Sequence, residues 1–275
     1  NPSLLRLLGS DASRQAINLH LVFNLLLAVS ALGLIHPLSR LSAHFVSSAP
    51  DAETGALVEI SALDPNAIDR PRRGLDSTAR ELLRMGQKIE GMLNAVGPLY
   101  VKWDSAAAKA VKEQDQAIKS IHFEVKLYLA QLGRAGLDAD LGKRSMELAA
   151  ISAALEAASD TIARSLLQLA KRLDTEGVAF SEVGRQEIND FMDRVQSNVH
   201  LALNVMMNQN PAEARDLVEA KEKVRAVEQK LQRNHLGRLR DGLAESIETS
   251  SIHQETLRSL KQVNTSLQHA VFNPR

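Results

Sequence analysis

Residues 111–132, VKEQDQAIKSIHFEVKLYLAQL, carry the pattern that decides the fold class. Their apolar positions recur every three or four residues, at Val111, Ile118, Ile121, Val125, Tyr128 and Leu132. This spacing places the apolar side chains on one face of a helix, as at the a and d positions of a helical bundle. The stretch therefore predicts an amphipathic helix that packs against other helices.

The same spacing recurs along the chain on both sides of this stretch. It predicts helices at about 76–96, 105–132, 138–173, 181–207, from Pro211 onward, and at about 246–271. Glycines and acidic or hydroxyl side chains stand where helices usually end and begin. We predict an all-α fold, in which two three-helix units at 75–177 and 178–275 form one helical domain.

The composition argues against several classes of function. Lys plus Arg and Asp plus Glu both number 33, so the chain lacks the positive charge expected of a nucleic-acid-binding protein. The chain has no Cys, which excludes disulfides, thiolate catalysis and Cys-ligated metals. It also has no Gly-x-Ser-x-Gly motif and no Gly-rich phosphate loop, so we expect no enzymatic activity.

An apolar stretch precedes the helical domain. Ile17 to Ile35 contains no Asp, Glu, Lys or Arg and has about the length needed to cross a bilayer. A signal peptide is disfavoured because Asp11 and Arg14 come before it. We expect a membrane-spanning helix, with a buried helix of a soluble protein as the alternative. The predicted division is a membrane part at 1–45 with its helix at about 15–36, a linker at 46–74 and the helical domain at 75–275.

Three polar side chains interrupt the apolar stretch: Asn18, His20 and Asn24. Polar groups are costly in lipid unless they face other protein or a water-filled path. They therefore indicate either helix packing or a position beside a transport pathway.

Three separated parts of the chain resemble one family. Residues 235–242 (HLGRLRDG), 248–253 (ETSSIH) and 260–265 (LKQVNT) resemble the C-terminal part of bacterial sodium-dependent phosphate cotransporters that carry a PhoU-like domain. Residues 63–85 resemble the start of that domain, and residues 16–24 resemble the start of the transporter's last membrane helix. The motif residues of unknown role are His235, Arg238, Thr249, Ser250, His253 and Asn264.

The resemblance implies the C-terminal part of a sodium-dependent phosphate symporter, located in the bacterial inner membrane with a PhoU-like bundle in the cytoplasm that regulates phosphate transport. The family's paired Gln-Ser-Ser motifs are absent from this sequence, which places the sodium and phosphate site upstream of it. The implied partners are sodium and phosphate through that upstream part, membrane lipid, and a protein partner or a second copy through the bundle. The alternatives are a membrane-tethered PhoU-like adaptor in phosphate signalling without transport activity, and a structural bundle with an N-terminal anchor.

PhoU-like domains often bind metal through Glu-x-x-x-Asp pairs, because residues four apart share one helix face. Glu156 and Asp160 have this spacing and are our candidate for a divalent metal site, with an ordinary solvated face as the alternative. Lys119, Lys261 and Asn264 stand where partner acids are expected, which argues against a multinuclear cluster.

Two histidines of the family-like stretches lie on the last two long predicted helices. His235 and His253 approach each other if those helices pack antiparallel. A zinc site needs further ligands, and none is suitably spaced. Paired polar packing is therefore the favoured interpretation.

Overall fold

The computed structural model describes residues 11, 14, 16–27, 61–208 and 211–271. The chain divides into two units, Asn1–Glu59 and Ile60–Arg275. In the first unit residues 16–27 are helical, and their side chains are exposed. Residues 28–45 and part of the predicted linker, 46–60, lie outside the described residues.

The described residues include no helix that is both long and apolar enough to cross a membrane. The second half of the predicted spanning helix, residues 28–35, lies outside the described residues. The absence of such a helix among the described residues contradicts the predicted location, a bacterial inner-membrane protein with its helical domain in the cytoplasm.

The second unit is a bundle of helices, and no described residue is in a strand. The helices are α1 (Pro71–Val96), α2 (Ser105–Ala135), α3 (Ala139–Asp160), α4 (Leu167–Glu176), α5 (Glu182–Asn208), α6 (Pro211–Arg240), α7 (Ala244–Glu248) and α8 (Ser250–Val271). Short 3₁₀ turns at Pro65–Ala67 and Gly97–Tyr100 lie on either side of α1. The predicted all-α fold class is confirmed.

Local sequence sets where the helices begin and end. Asp104 and Asp138 cap α2 and α3, because their carboxylates accept hydrogen bonds from backbone N–H groups of the first turn. Pro71 starts α1 earlier than predicted, since its fixed φ suits the first turn of a helix and its missing N–H is not needed there. Gly177 ends α4 with a φ of 65°, a left-handed conformation that favours glycine.

The core lies along the apolar seam that the sequence predicts. All six seam residues of α2 are buried, and this helix packs against α1 and α3. Helix α8 packs against α3 as well as against α5 and α6. It therefore connects the helices of the N-terminal half of the bundle with those of the C-terminal half.

A π-helical segment, Thr161–Leu166, joins α3 to α4 within what the sequence predicts as one helix. A π turn holds more residues than an α turn, so it changes which side chains face outward after it. Ile162 and Leu166 remain fully buried, whereas Arg164 is exposed and Ser165 is partly exposed. The segment is thus anchored in the core and presents polar side chains on its outer side.

Candidate functional site

Motif residues from two of the family-like stretches meet inside the bundle, among α5, α6 and α8. The rings of His235 on α6 and His253 on α8 stack, with centroids 4.6 Å apart and planes 9° from parallel. Both residues are 1% exposed. Arg238 Nη2 lies 2.8 Å from Glu187 Oε2, which forms an ion pair between α6 and α5. We call Glu187, His235, Arg238 and His253 the histidine cluster.

The remaining motif residues support the cluster or lie apart from it. Ser250 Oγ lies 2.9 Å from His235 Nε2, within hydrogen-bond distance. The Thr249 hydroxyl donates to the backbone carbonyl of Glu245 at 2.6 Å, just where α7 gives way to α8. Asn264 lies further along α8 and accepts a hydrogen bond from Asn198 at 2.8 Å. The structure therefore brings five of the six motif residues to one end of α8.

Burial determines the protonation of the two imidazoles. Burial, and then the nearby His235 and Arg238, lowers the pKa of His253 to about 3. Burial also lowers the pKa of His235, and the positive charge of Arg238 adds to that effect. Both rings are therefore neutral near pH 7. A proton on either ring would place a second positive charge beside Arg238 in a poorly solvated site.

The cluster is not fully satisfied in hydrogen bonds. Within the described residues, His235 Nδ1 and Arg238 Nε are buried without a partner. His253 Nε2 lies 3.8 Å from Glu187 Oε2, beyond hydrogen-bond distance. Each buried polar atom left unpaired costs about 1–3 kcal/mol, so the cluster is held by the surrounding fold rather than by its own bonds.

Aromatic contacts connect the histidine cluster to the π-helical segment. Phe180 packs edge-on against His253 at 5.5 Å, and Tyr100 stacks on Phe180 at 6.1 Å. The Tyr100 hydroxyl donates to the carbonyl of Leu166 at 3.0 Å. Burial raises the pKa of Tyr100, so its phenol stays protonated and able to donate this bond.

One of the two candidate metal ligands, Asp160, lies in an ion-pair network that joins α2, the end of α3 and the π-helical segment. Asp160 Oδ1 is 3.0 Å from Lys119 Nζ and 2.8 Å from Arg164 Nε. Lys119 Nζ is also 2.6 Å from Asp115 Oδ2. Glu156 is partly buried and makes none of these contacts. The carboxylate of Asp160 is thus already paired with two cationic side chains in this structure. A divalent metal site at Glu156 and Asp160 stays a prediction.

The other described residues do not form a clear metal site either. The described residues include no group of three or more His, Asp or Glu placed to hold a metal ion. The parallel stacking of His235 and His253 directs their ring nitrogens past one another, which fits packing better than joint ligation of one ion.

The three polar residues of the apolar stretch lie in the first unit. Asn18, His20 and Asn24 are exposed side chains on the helix at 16–27. Their place in a membrane domain stays a prediction, because the second half of the predicted spanning helix lies outside the described residues.

Sequence reasoning missed Glu187, Phe180 and Tyr100. A buried arginine requires a carboxylate partner, which is a usable signal. The chain has 33 acidic residues, however, and the partner can be chosen only when the register of α5 against α6 is known. Nothing in the sequence distinguished Phe180 and Tyr100 from other apolar residues expected in the core.

The fold is that of a PhoU-like helical bundle, as solved structures show. PhoU from Pseudomonas aeruginosa matches with a TM-score of 0.65 at 20% identity, over 72% of this chain and 93% of that chain. The phosphate transport system regulatory protein PhoU from Streptococcus pneumoniae matches with a TM-score of 0.64 at 15% identity, over 74% and 93%. The predicted PhoU-like domain is therefore confirmed.

The chain is also similar in sequence to curated proteins named for phosphate export. A Salmonella typhimurium protein named "Putative inorganic phosphate export protein YjbB" is 28% identical over 258 residues, 94% of this chain and 47% of that protein. The Escherichia coli K12 protein of the same name is 27% identical over 249 residues, 90% and 45%. The chain spans about half the length of these relatives. No family model matches it, and the relatives' names do not show the predicted sodium-dependent cotransporter family.

Proposed function

We propose that this chain is a PhoU-like regulatory module for phosphate transport and that the transport it regulates is export. The observation that carries the proposal is similarity, over 94% of the chain, to a protein named for phosphate export. The PhoU fold supports the regulatory part, because one of the matched structures is named as a regulator of a phosphate transport system. Sodium-coupled uptake, the direction that the sequence suggested, has no support in these names.

The site favours regulation over catalysis. The histidine cluster is closed to substrate, since His235 and His253 are each 1% exposed and neutral near pH 7. A regulatory bundle needs an element whose contacts differ between two states. Helix α8 is our candidate, because it packs against both halves of the bundle and carries His253. The proposed role is therefore regulatory, and the absence of enzymatic activity stays a prediction from the sequence.

The test is phosphate release from cells. The half of the Escherichia coli relative that matches this chain is replaced by this chain, and cells loaded with labelled phosphate are transferred to phosphate-free medium. We expect the rate of release to differ from that of a relative lacking the module, and sodium dependence is measured in the same assay. Equal release with and without the module, at equal protein level, would contradict the proposal.

A matched pair of variants ties the effect to the bundle. Arg238→Gln removes the buried charge that pairs with Glu187. Arg233→Gln changes an exposed arginine on the same helix. Regulation by the folded bundle predicts altered release for Arg238→Gln and unaltered release for Arg233→Gln.

A second candidate is a PhoU-like adaptor in phosphate signalling that has no transport activity of its own. The observation that favours it is that this chain covers 93% of each of the two matched PhoU chains, so the bundle matches nearly all of a PhoU protein. The adaptor predicts a change in phosphate-responsive gene expression with no change in phosphate release. The release assay therefore separates the two candidates.

A further inference from the structure

A cleft of about 420 Å³ opens beside the π-helical segment, with lining residues distinct from the histidine cluster. The π-helical segment, α4 and α8 each contribute one arginine to it, Arg164, Arg172 and Arg258. The rest of its lining is Ser165, Gln168, Leu169, Glu255 and Ser259. We call it the arginine cleft.

The lining of the arginine cleft is positively charged in a chain that is neutral overall. Three guanidinium groups and one carboxylate line the cleft, whereas the whole sequence has a formal charge of 0. Asp160 and Glu176, just outside the lining, pair with Arg164 and Arg172, so the positive charge left unpaired is that of Arg258. Other clefts formed by described residues differ. One is lined by Asp190, Asp193, Arg194 and Lys223, which cancel, and another by Glu90 and Asp193 with His200. The arginine cleft is therefore suited to an anion.

Two of the arginines are positioned by carboxylates four residues away along the chain. Arg164 Nε lies 2.8 Å from Asp160, and Arg172 Nε lies 3.0 Å from Glu176. An arginine held through Nε still has its terminal amino groups to offer, and these form paired hydrogen bonds with phosphate oxygens. The terminal amino groups of Arg172 also reach α8, with Nη2 3.5 Å from Ser251 and Nη1 3.9 Å from the lining carboxylate of Glu255.

The third arginine has no such partner. Among the described residues, no carboxylate forms an ion pair with Arg258. Its charge lies at the edge of the cleft on α8, opposite the π-helical segment that carries Arg164. An anion between them would neutralise a charge that the protein itself leaves unpaired.

The π-helical segment supplies a second reason to regard the cleft as built for a ligand. Interruptions of this kind often occur at functional sites, because they reorient side chains at a cost in helix geometry. Here Ile162 and Leu166 hold the segment in the core while Arg164 and Ser165 face the cleft.

We propose that the arginine cleft binds a phosphate group, either as free inorganic phosphate or as the terminal phosphate of a small metabolite. The volume lies in the range of small-molecule sites and exceeds that of a single phosphate ion. The choice of phosphate among oxyanions rests on the proposed function. A bound phosphate bridges the π-helical segment and α8, and the Leu166–Tyr100 hydrogen bond connects that segment to the aromatic contacts of the histidine cluster.

The test is isothermal titration calorimetry on the full chain, with inorganic phosphate in one arm and ATP in the other. We expect binding in at least one arm. Heat from phosphate alone assigns the free ion, and heat from ATP alone assigns a metabolite's terminal phosphate. Sulfate is titrated as a third probe, and sulfate binding as tightly as the phosphate compounds overturns the assignment to phosphate.

Variants locate the binding. Arg258→Gln should weaken binding about tenfold or more, because a hydrogen bond to a charged group is lost. Arg233→Gln, an exposed arginine on α6, is the matched control and should bind like the unaltered chain. Glu255→Gln removes the carboxylate of the cleft and should bind more tightly. Equal affinity of Arg258→Gln and the unaltered chain, or no heat from either phosphate probe, overturns the site.

The calorimetry tests the phosphate site and the release assay tests the proposed function, so either proposal can be contradicted without the other. Absence of binding removes the arginine cleft as a phosphate site and leaves the release assay to decide whether the bundle regulates export. Unaltered release in that assay removes the regulatory role, and binding to the isolated chain would still be measured.

Discussion

The histidine cluster and the arginine cleft use the same helix in opposite ways. His253 and Arg258 are five positions apart on α8, about 140° around the helix axis, so one faces the core and the other faces solvent. In the cluster, Arg238 is closed in and paired with Glu187. In the cleft, Arg258 is exposed and has no carboxylate partner among the described residues. Burial therefore decides whether an arginine is enclosed beside a carboxylate or remains available to a ligand.

The largest expected effect comes from breaking the buried ion pair. Glu187→Ala leaves Arg238 charged and unpaired where both side chains are only 12% exposed. Removing one partner of a buried ion pair typically lowers the free energy of unfolding by about 3–5 kcal/mol. Because both side chains are slightly exposed, we expect a loss at the lower end of this range, about 3 kcal/mol. The measurement is the free energy of unfolding from a urea titration.

A surface pair is the control for that prediction. Glu219 lies 2.9 Å from Lys223, and both side chains are 65% exposed. Glu219→Ala should change the free energy of unfolding by less than about 1 kcal/mol. Equal losses for the two variants would show that burial does not separate the cluster from the surface of the bundle.

The second prediction uses acid to charge the cluster. The pKa of His253 is lowered to about 3 in the folded chain, against 6.5 for an ordinary histidine, so the unfolded state binds more protons between these values. Stability is therefore full above pH 6.5 and falls as the pH drops toward 3. Between pH 7 and pH 5 this histidine should remove about 2 kcal/mol from the free energy of unfolding.

Variants separate this effect from the titration of carboxylates. His253→Gln should flatten the pH dependence by about that amount, because the buried titrating ring is gone. His200→Gln is the matched control, since the His200 side chain is 69% exposed. Identical pH dependence in all three proteins would mean that the ring takes up its proton without penalty.

The bundle itself was predictable because periodicity and burial have the same physical cause. A helix that buries one face must repeat its apolar residues every three or four positions, and the seam of α2 does so. The π-helical segment was not predictable, because Leu155, Ala158 and Ile162 continue the helical spacing into it.

The two sites differ in how much sequence reasoning could find. The approach of His235 and His253 required only that α6 and α8 run antiparallel, and the structure stacks the two rings. The arginine cleft required three residues separated by up to about ninety positions to meet. Exposed arginines carry no periodic signal, so only the folded arrangement distinguishes these three from the others.

The third prediction concerns the contact between the two regions. Tyr100→Phe removes the hydrogen bond to the Leu166 carbonyl and keeps the ring stacked on Phe180. The loss should be about 1 kcal/mol in the free energy of unfolding, since one buried carbonyl loses its side-chain donor. An unchanged urea midpoint would show that this bond does not hold the π-helical segment.

The smallest effect is expected in the arginine cleft without ligand. Arg258→Gln should change the free energy of unfolding by no more than about 0.5 kcal/mol, because the side chain is exposed and no carboxylate is left unpaired by its removal. Adding the phosphate probe at ten times its dissociation constant should then stabilise the unaltered chain by about 1.4 kcal/mol and the variant by much less. Thermal unfolding with and without the probe measures both quantities. A large loss without ligand would place Arg258 with the buried residues of the histidine cluster, and the contrast between the two regions would fail at that residue.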